Sequence, residues 1–215
     1  MKLDDSELTH TGLASADAGK ILIIACGALA HEITALISTN HWHHISLTCL
    51  PAIWHNSPQK IAKGVEELVL KHRNSYETLF VAYADCGTGG ALQQTCARLG
   101  VAMIEGPHCY SFFEGNASFA AHGADEITTF YLTDFLARQF DAFVIRPLGL
   151  DRHPELRDTY FGHYQKLVYL AQSDDQDLDI KAQNAARRLG LAYERRFTGY
   201  GDLATALAGL SKSSG

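Results

Sequence analysis

The sequence lacks an apolar segment of the kind that directs a protein to secretion or anchors it in a membrane. Residues 1–20 are acidic and polar, without the apolar central region of a signal peptide. The most apolar later stretch, residues 128–145, is interrupted by Asp134, Arg138 and Asp141, which excludes it as a membrane span. We therefore expect a soluble cytoplasmic protein with no membrane partner.

Positive charge is also scarce, since 18 Lys and Arg residues stand against 24 Asp and Glu residues, for a net charge of -6. A chain with this balance is not expected to bind nucleic acid. The five cysteines include no Cys-x-x-Cys pair, the usual zinc signature. Because no signal peptide is visible, reduced thiols, metal ligands or nucleophiles are expected instead of disulfides.

The sequence contains short apolar runs that alternate with helical patterns, and its 215 residues are enough for a substantial core. This alternation predicts βαβ units and a parallel sheet. We predict an α/β fold: one Rossmann-like domain over residues 21–208, with helices on both faces of a mostly parallel sheet and a two-lobed arrangement as the alternative. Residues 1–20 are predicted to be a flexible arm and 209–215 a flexible tail. The strand candidates are 21–25, 45–53, 78–84, 101–106, 128–133, 142–149, 166–172 and 191–199.

Three cysteines follow predicted strands. Cys26 comes directly after residues 21–25, Cys86 follows the third strand run, and Cys109 lies a few residues after the fourth. The carboxyl ends of parallel strands meet at one sheet edge, which is where such sheets bind ligands. We therefore expect these three sulfur atoms to lie close together, whereas Cys49 and Cys96 fit the alternative of small buried hydrophobic residues.

Thiolates near the start of a helix are stabilised by free backbone N–H groups, and they bind soft or borderline metals. The three cysteines therefore predict a metal site, with His108 as a fourth ligand. Zinc is the first expectation, and iron or an iron–sulfur cluster are the alternatives.

The stretch from Asp85 to Gly90 is rich in glycine and lies between a strand and a helix. Backbone N–H groups of Gly87, Thr88, Gly89 and Gly90 could hold an anion or a substrate carboxylate, with Asp85 beside them. The alternative is a tight turn that requires glycine geometry. The stretch has neither the P-loop lysine nor the dinucleotide-binding glycine pattern.

Two further residues are candidates for proton transfer. Asp134 follows a strand run, and its alternative role is to cap a helix. His153 lies in a charged stretch, where a surface ion-pair cluster is the alternative. Trp54, His55 and Asn56 also follow a strand run, although no physical argument assigns them to the site.

The sequence resembles the family catalogued as domain of unknown function 1638, over about residues 21–203. This resemblance implies that Cys26, Cys86 and Cys109 are family positions, with Asp85, His108, Asp134 and His153 beside them. The family occurs in bacteria and methanogenic archaea, and its genes often lie beside corrinoid-dependent methyltransferases and their activators. The segments that carry the resemblance are ACGALAHEI, LPAIWHNSPQKI, YADCGTGG, GPHCYSFFEG, FYLTDFLARQFD, GLDRHPELRDTYFGHY, VYLAQ and ERRFTGYGDL.

Three functions are compatible with these features. The first is a thiolate metal site that acts on or handles a small molecule in corrinoid-linked one-carbon metabolism, the corrinoid being reached through a partner methyltransferase system. The second is a metal-free, racemase-like enzyme in which paired cysteines act as acid and base and the glycine loop binds a carboxylate. The third is a non-catalytic accessory protein that delivers a metal or corrinoid.

Overall fold

The computed structural model describes residues 3–15, 19–122 and 127–212. The chain forms two compact units, Met1–Cys109 with Asp202–Gly215, and Tyr110–Gly201. Each unit contains a parallel sheet accompanied by helices, so the predicted α/β fold class is confirmed. None of the helices described is long and apolar enough to cross a membrane.

The first unit is built on a four-stranded sheet formed by β1 Ile21–Cys26, β2 Ile45–Leu50, β3 Thr78–Ala82 and β4 Ala102–Met103. Across the sheet the strands lie in the order β2-β1-β3-β4. All neighbouring pairs are parallel. Its helices are Asp5–His10, Ala30–Thr39, Ile61–His72, Ala91–Leu99 and Gly201–Lys212, with shorter 3-10 turns at Gly27–Leu29, Ala52–Asn56 and Pro58–Lys60.

Strand β1 lies between β2 and β3, and all of its residues are buried. A strand covered on both faces has no solvent-facing side, which explains why its sequence is continuously apolar and does not alternate. The helix Ile61–His72 buries Ile61, Val65 and Val69 on one face, as the apolar spacing predicts.

The second unit contains a three-stranded sheet with the order β5-β6-β7, formed by Thr129–Leu132, Lys166–Ala171 and Ala192–Phe197. These pairs are also parallel. Tyr131, Val168, Leu170 and Phe119 form a buried cluster on this sheet. The helices are Cys109–Glu114 at the boundary, Asn116–Ala121, Asp134–Arg138, Arg157–Phe161 and Gln176–Leu189, with a 3-10 turn at Pro154–Leu156.

One strand prediction is wrong. Residues 142–149 were expected to form a strand, but Asp141–Ile145 form a π-helical turn that buries Phe143, Val144 and Ile145. A short apolar run can occupy either a buried strand or a buried helical turn, and its periodicity does not distinguish them.

The predicted terminal segments contain regular structure. In the predicted arm, residues Asp5–His10 form a helix in which Leu8 is buried, and Leu13 pairs with Cys49 of β2. The described part of the predicted tail, residues 209–212, belongs to the helix Gly201–Lys212. The predictions for residues 1–2, 16–18 and 213–215 lie outside the described residues.

Candidate functional site

Strands β1, β2 and β3 end at the same edge of the first sheet. The register pairs Cys26 with Leu50 and Ala25 with Ala82. The chain therefore leaves this edge at three neighbouring points: at Cys26, at the 3-10 turn Ala52–Asn56, and at the segment that carries Cys86. This arrangement follows from the parallel topology, as expected from the sequence.

The backbone at Cys86 has a left-handed conformation with φ of 46°, which is uncommon for a residue with a side chain. The strand extension before it is held to a second segment, because the N–H of Asp85 donates to Gly106 and that of Cys86 donates to Pro107, both at 3.1 Å. These two bonds bring the residues that precede Cys109 alongside the Cys86 turn. Unusual backbone conformations of this kind are concentrated at functional sites.

The Cys86 sulfur accepts hydrogen bonds from two residues. The thiol and the backbone N–H of Cys109 contact it, and so does the imidazole of His55. The hydrogen bond from Cys109, together with that from His55 and the positive charge of His55, holds the pKa of Cys86 well below its usual value of 9.0. This happens even though Cys86 is buried, and burial by itself would favour the neutral thiol. The contacts around Cys86 therefore favour its thiolate form.

His55 lies in the 3-10 turn that follows β2 and is exposed. Its hydrogen bond to Cys86 raises the pKa of the imidazole above its usual value of 6.5. The contact between the two side chains contributes to both shifts, since each charged form stabilises the other. A histidine that stabilises the thiolate of a neighbouring cysteine is one means by which proteins activate a cysteine.

Cys26 lies in a different environment. Burial raises the pKa of its thiol to about 12, and the nearby Cys86 adds to that rise, although the N–H of Ala28 opposes it. Cys26 therefore remains a neutral thiol. The buried hydroxyl of Tyr83 faces it, but within the described part of the chain this oxygen makes no hydrogen bond of regular geometry.

The predicted metal ligands are partly brought together. Cys86 and Cys109 are in contact, Cys26 is near Cys86, and desolvation lowers the pKa of the half-buried His108. Among residues 3–15, 19–122 and 127–212, no group of three or more His, Cys, Asp or Glu side chains is arranged to hold a metal ion. The set Cys26, Cys86, Cys109 and His108 therefore stays a prediction.

The glycine loop contains its own carboxylate. Asp85 accepts hydrogen bonds from the Thr88 hydroxyl at 2.7 Å, from the N–H of Gly90 at 2.7 Å and from that of Gly89 at 3.2 Å. These hydrogen bonds lower the pKa of Asp85, and the bond from the Thr88 hydroxyl contributes most, followed by that from the N–H of Gly90. Two of the predicted anion-binding N–H groups, those of Gly89 and Gly90, thus bond to Asp85 itself. This favours a structural role for the loop, and the anion site at Gly87, Thr88, Gly89 and Gly90 stays a prediction.

Asp134 and His153, the predicted proton carriers, belong to the second unit. The Asp134 carboxylate is buried and accepts four hydrogen bonds, from Tyr169, from the N–H of Gln172, and from the N–H and hydroxyl of Ser173. A carboxylate so fully bonded is typical of a structural role. His153 is exposed and lies 3.1 Å from Glu155. Their catalytic roles stay predictions.

Sequence reasoning assigned no role to two side chains at this edge: His55, which it noted only as following a strand run, and Tyr83, which it did not single out. Both follow the ends of strands that flank β1, so the rule that selected Cys26 and Cys86 also selects these two residues. Cys49 was expected to be a core residue, and it is buried within β2 with a pKa raised by desolvation. Cys96 is likewise buried, in the helix Ala91–Leu99.

Comparison with known proteins gives one match. The family described as "Protein of unknown function (DUF1638)" matches residues 49–207, a span that contains His55, Tyr83, Cys86 and Cys109. No curated protein and no solved structure matches the chain significantly. Since the matched span covers most of the sequence, the chain belongs to the DUF1638 family.

Proposed function

We propose that this protein is an enzyme that acts on a small molecule through the Cys86 thiolate. The observation that carries the proposal is the hydrogen bonding of one sulfur atom, in a strained turn at the sheet edge, by both Cys109 and His55. In this account Cys86 is the reacting group. His55 supplies the positive charge that stabilises the thiolate, and it also supplies a proton that can be transferred.

A cleft beside the Cys86 turn supports a small-molecule substrate. It has a volume of about 240 Å³ and is lined by Pro58, Gln59, Ala62, Gly87, Thr88 and Ala91. Pro58 follows His55 closely in the chain, and Gly87 follows Cys86 directly. The volume lies just below the range of about 300–1,000 Å³ that is typical of sites for drug-sized ligands, and it suits a compact metabolite.

The second thiol suits a reaction with two proton-transfer partners. The Cys86 thiolate takes a proton from the substrate, and the Cys109 thiol or the His55 imidazolium returns a proton to the product. Tyr83 adds a buried hydroxyl near Cys26 that has no partner of regular geometry in the described structure. Buried polar groups are nearly always satisfied, so a bound ligand or water at this hydroxyl is in keeping with a working site.

Incubation with a defined mixture of metabolites in D₂O tests this function. We expect the wild-type protein to consume one compound or to introduce deuterium into it, as measured by mass spectrometry. The Cys86→Ser variant should lose this activity, while the buried-cysteine control Cys96→Ser should retain it. Activity that survives in the Cys86→Ser variant, or a mixture left unchanged by the wild type, would contradict the proposal.

A second proposal retains the metal site predicted from the sequence. It is favoured by the donors around Cys86, because a second thiol and an imidazole are groups that zinc binds. Elemental analysis of protein purified without chelators tests it. About one zinc per chain, lost in a variant with Ser at positions 26, 86 and 109, would support a structural or catalytic metal. Folded, metal-free protein with a reactive Cys86 would contradict it.

The metabolic setting is proposed from the family resemblance. Corrinoid-linked one-carbon chemistry, a partner methyltransferase and a cytoplasmic location remain predictions, as does the accessory role without catalysis. Co-purification with a corrinoid methyltransferase, combined with no turnover by the isolated chain, would favour the accessory role over the enzyme proposed here.

A further inference from the structure

A groove in the second unit has a charge opposite to that of the whole chain. Its volume is about 370 Å³, and its lining includes Arg138, Arg146, Lys181 and Arg188 but a single carboxylate, that of Asp141. The chain as a whole has a net charge of -6. Four cations facing one acid in a chain that is otherwise acidic form a local positive field, and a concave surface strengthens such a field.

The backbone that supports this groove consists of regular elements. Arg138 ends the helix Asp134–Arg138, while Lys181 and Arg188 lie on the long helix Gln176–Leu189. The π-helical turn Asp141–Ile145 lies between these two helices in the chain, and Arg146 is the residue that follows it. π-Helical turns are rare and are often found at functional sites.

One of the four cations is held in place by neighbouring groups. The guanidinium of Arg188 lies 2.7 Å from the Asp141 carboxylate, and its carbon is 5.4 Å from the centre of the Phe140 ring. These two contacts restrain the side chain before any ligand binds, which reduces the entropy cost of binding.

Two other cations have no acidic partner in the described part of the chain. Arg146 and Lys181 are exposed, and no described carboxylate lies within ion-pairing distance of either. Two unpaired cations beside a restrained arginine leave the groove with positive charge that a ligand can neutralise.

We propose that this groove binds a phosphorylated small molecule. Guanidinium groups present a planar set of donors that matches the oxygens of a phosphate, and lysine adds a compact charge. The lining also provides the amide groups of Gln139 and Asn184 as uncharged hydrogen-bonding partners, and Ala137, Ala185 and Phe140 as apolar surface. The volume lies within the range typical of small-molecule sites. The inference does not depend on the function proposed for Cys86.

Isothermal titration calorimetry with inorganic pyrophosphate tests this proposal at about 0.1 M salt, where weak long-range attraction is screened. We expect saturable binding to the wild type. The double variant Arg146→Glu with Lys181→Glu should bind at least about thirtyfold more weakly, since two charge-assisted contacts become repulsive. The neutral variant Arg146→Gln with Lys181→Gln should bind about tenfold more weakly. It keeps the proposal testable if the double Glu variant does not fold.

A matched control separates the groove from net charge. The variant Lys63→Glu with Arg152→Glu changes the same two residue types by the same charge at sites that are 81% and 75% exposed and lie outside the groove. It should bind pyrophosphate within about twofold of the wild type. The proposal is overturned by wild-type protein without saturable binding, by equal affinity in the groove and control variants, or by tighter binding of citrate than of pyrophosphate.

Discussion

Replacing Asp134 with alanine should destabilise the protein strongly, because its carboxylate is the acceptor for four donors at the end of β6, in residues 169–173. It is 3% exposed and accepts bonds of 2.6 Å from Tyr169, 3.0 Å from the N–H of Gln172, and 3.0 and 2.6 Å from the N–H and hydroxyl of Ser173. Each buried donor left without a partner costs about 1–3 kcal/mol. Water entering the space left by the carboxylate recovers part of this, so we expect a net loss of about 3–5 kcal/mol in the free energy of unfolding.

Thermal and urea unfolding measure this loss. For a chain of this length, each kcal/mol lowers the melting temperature by roughly 2–4 °C, so Asp134→Ala should melt roughly 6–20 °C below the wild type. Asp134→Asn, which keeps the volume but replaces one acceptor with a donor, should lose about 2–3 kcal/mol. The exposed control Asp151→Ala should change stability by less than about 0.5 kcal/mol. If Asp134→Ala loses under about 1 kcal/mol, the carboxylate is not a structural group, and its predicted catalytic role regains weight.

Three further predictions concern the first unit. His55→Asn should raise the pKa of Cys86, because it removes a hydrogen bond and a positive charge that favour the thiolate, and should therefore shift the alkylation midpoint of Cys86 to higher pH. An unchanged midpoint would show that His55 does not stabilise the thiolate. The pKa of Asp85 is lowered from 3.8 in the folded protein, so the stability that its carboxylate contributes is present above pH 3.8 and lost as the pH falls through the folded-state pKa. In urea unfolding, the difference in stability between the wild type and Asp85→Asn should therefore disappear over that pH range. A difference that stays constant with pH would refute this. Gly64→Ala should lower the free energy of unfolding by about 1–3 kcal/mol through overpacking. The Cβ that alanine adds would overlap the Trp54 ring and lie 3.1 Å from a methyl group of Leu50. A melting temperature equal to that of the wild type would contradict this.

The sheet edge was predictable from sequence because parallel topology constrains it. Once the apolar runs are recognised as parallel strands, Cys26 and Cys86 must leave the sheet on one side. The helix ends at Gly100 and Gly190 were also predictable, since both residues have a left-handed conformation, with φ of 69° and 73°, that favours glycine.

The protonation of the cysteines was not predictable from their positions. Cys26 and Cys86 occupy similar places after neighbouring strands, yet burial raises the pKa of the Cys26 thiol while hydrogen bonds lower the pKa of Cys86. The difference comes from His55 and Cys109, which reach Cys86 through a turn and a loop. Turn and loop geometry decides such contacts, and apolar periodicity carries no information about it.

The glycine loop shows a second limit of sequence patterns. A glycine-rich turn before a helix indicates that backbone N–H donors are available. It does not indicate whether the acceptor is an external anion or a carboxylate of the same chain. Here Asp85 is the acceptor, and its side-chain orientation is not encoded in the motif. An acidic residue next to such a loop should therefore be considered as the acceptor of the loop N–H groups, in place of a bound anion.

The rate of Cys86 alkylation as a function of pH tests the central claim most directly. Iodoacetamide modification of each cysteine is followed by mass spectrometry between pH 4.5 and pH 10, and only the thiolate reacts. Because Cys109 and His55 stabilise the charged form in the folded protein, we predict a midpoint for Cys86 well below 9.0, its usual pKa, and substantial reaction at pH 6. A Cys86 midpoint near or above 9.0 in the folded protein would contradict the account.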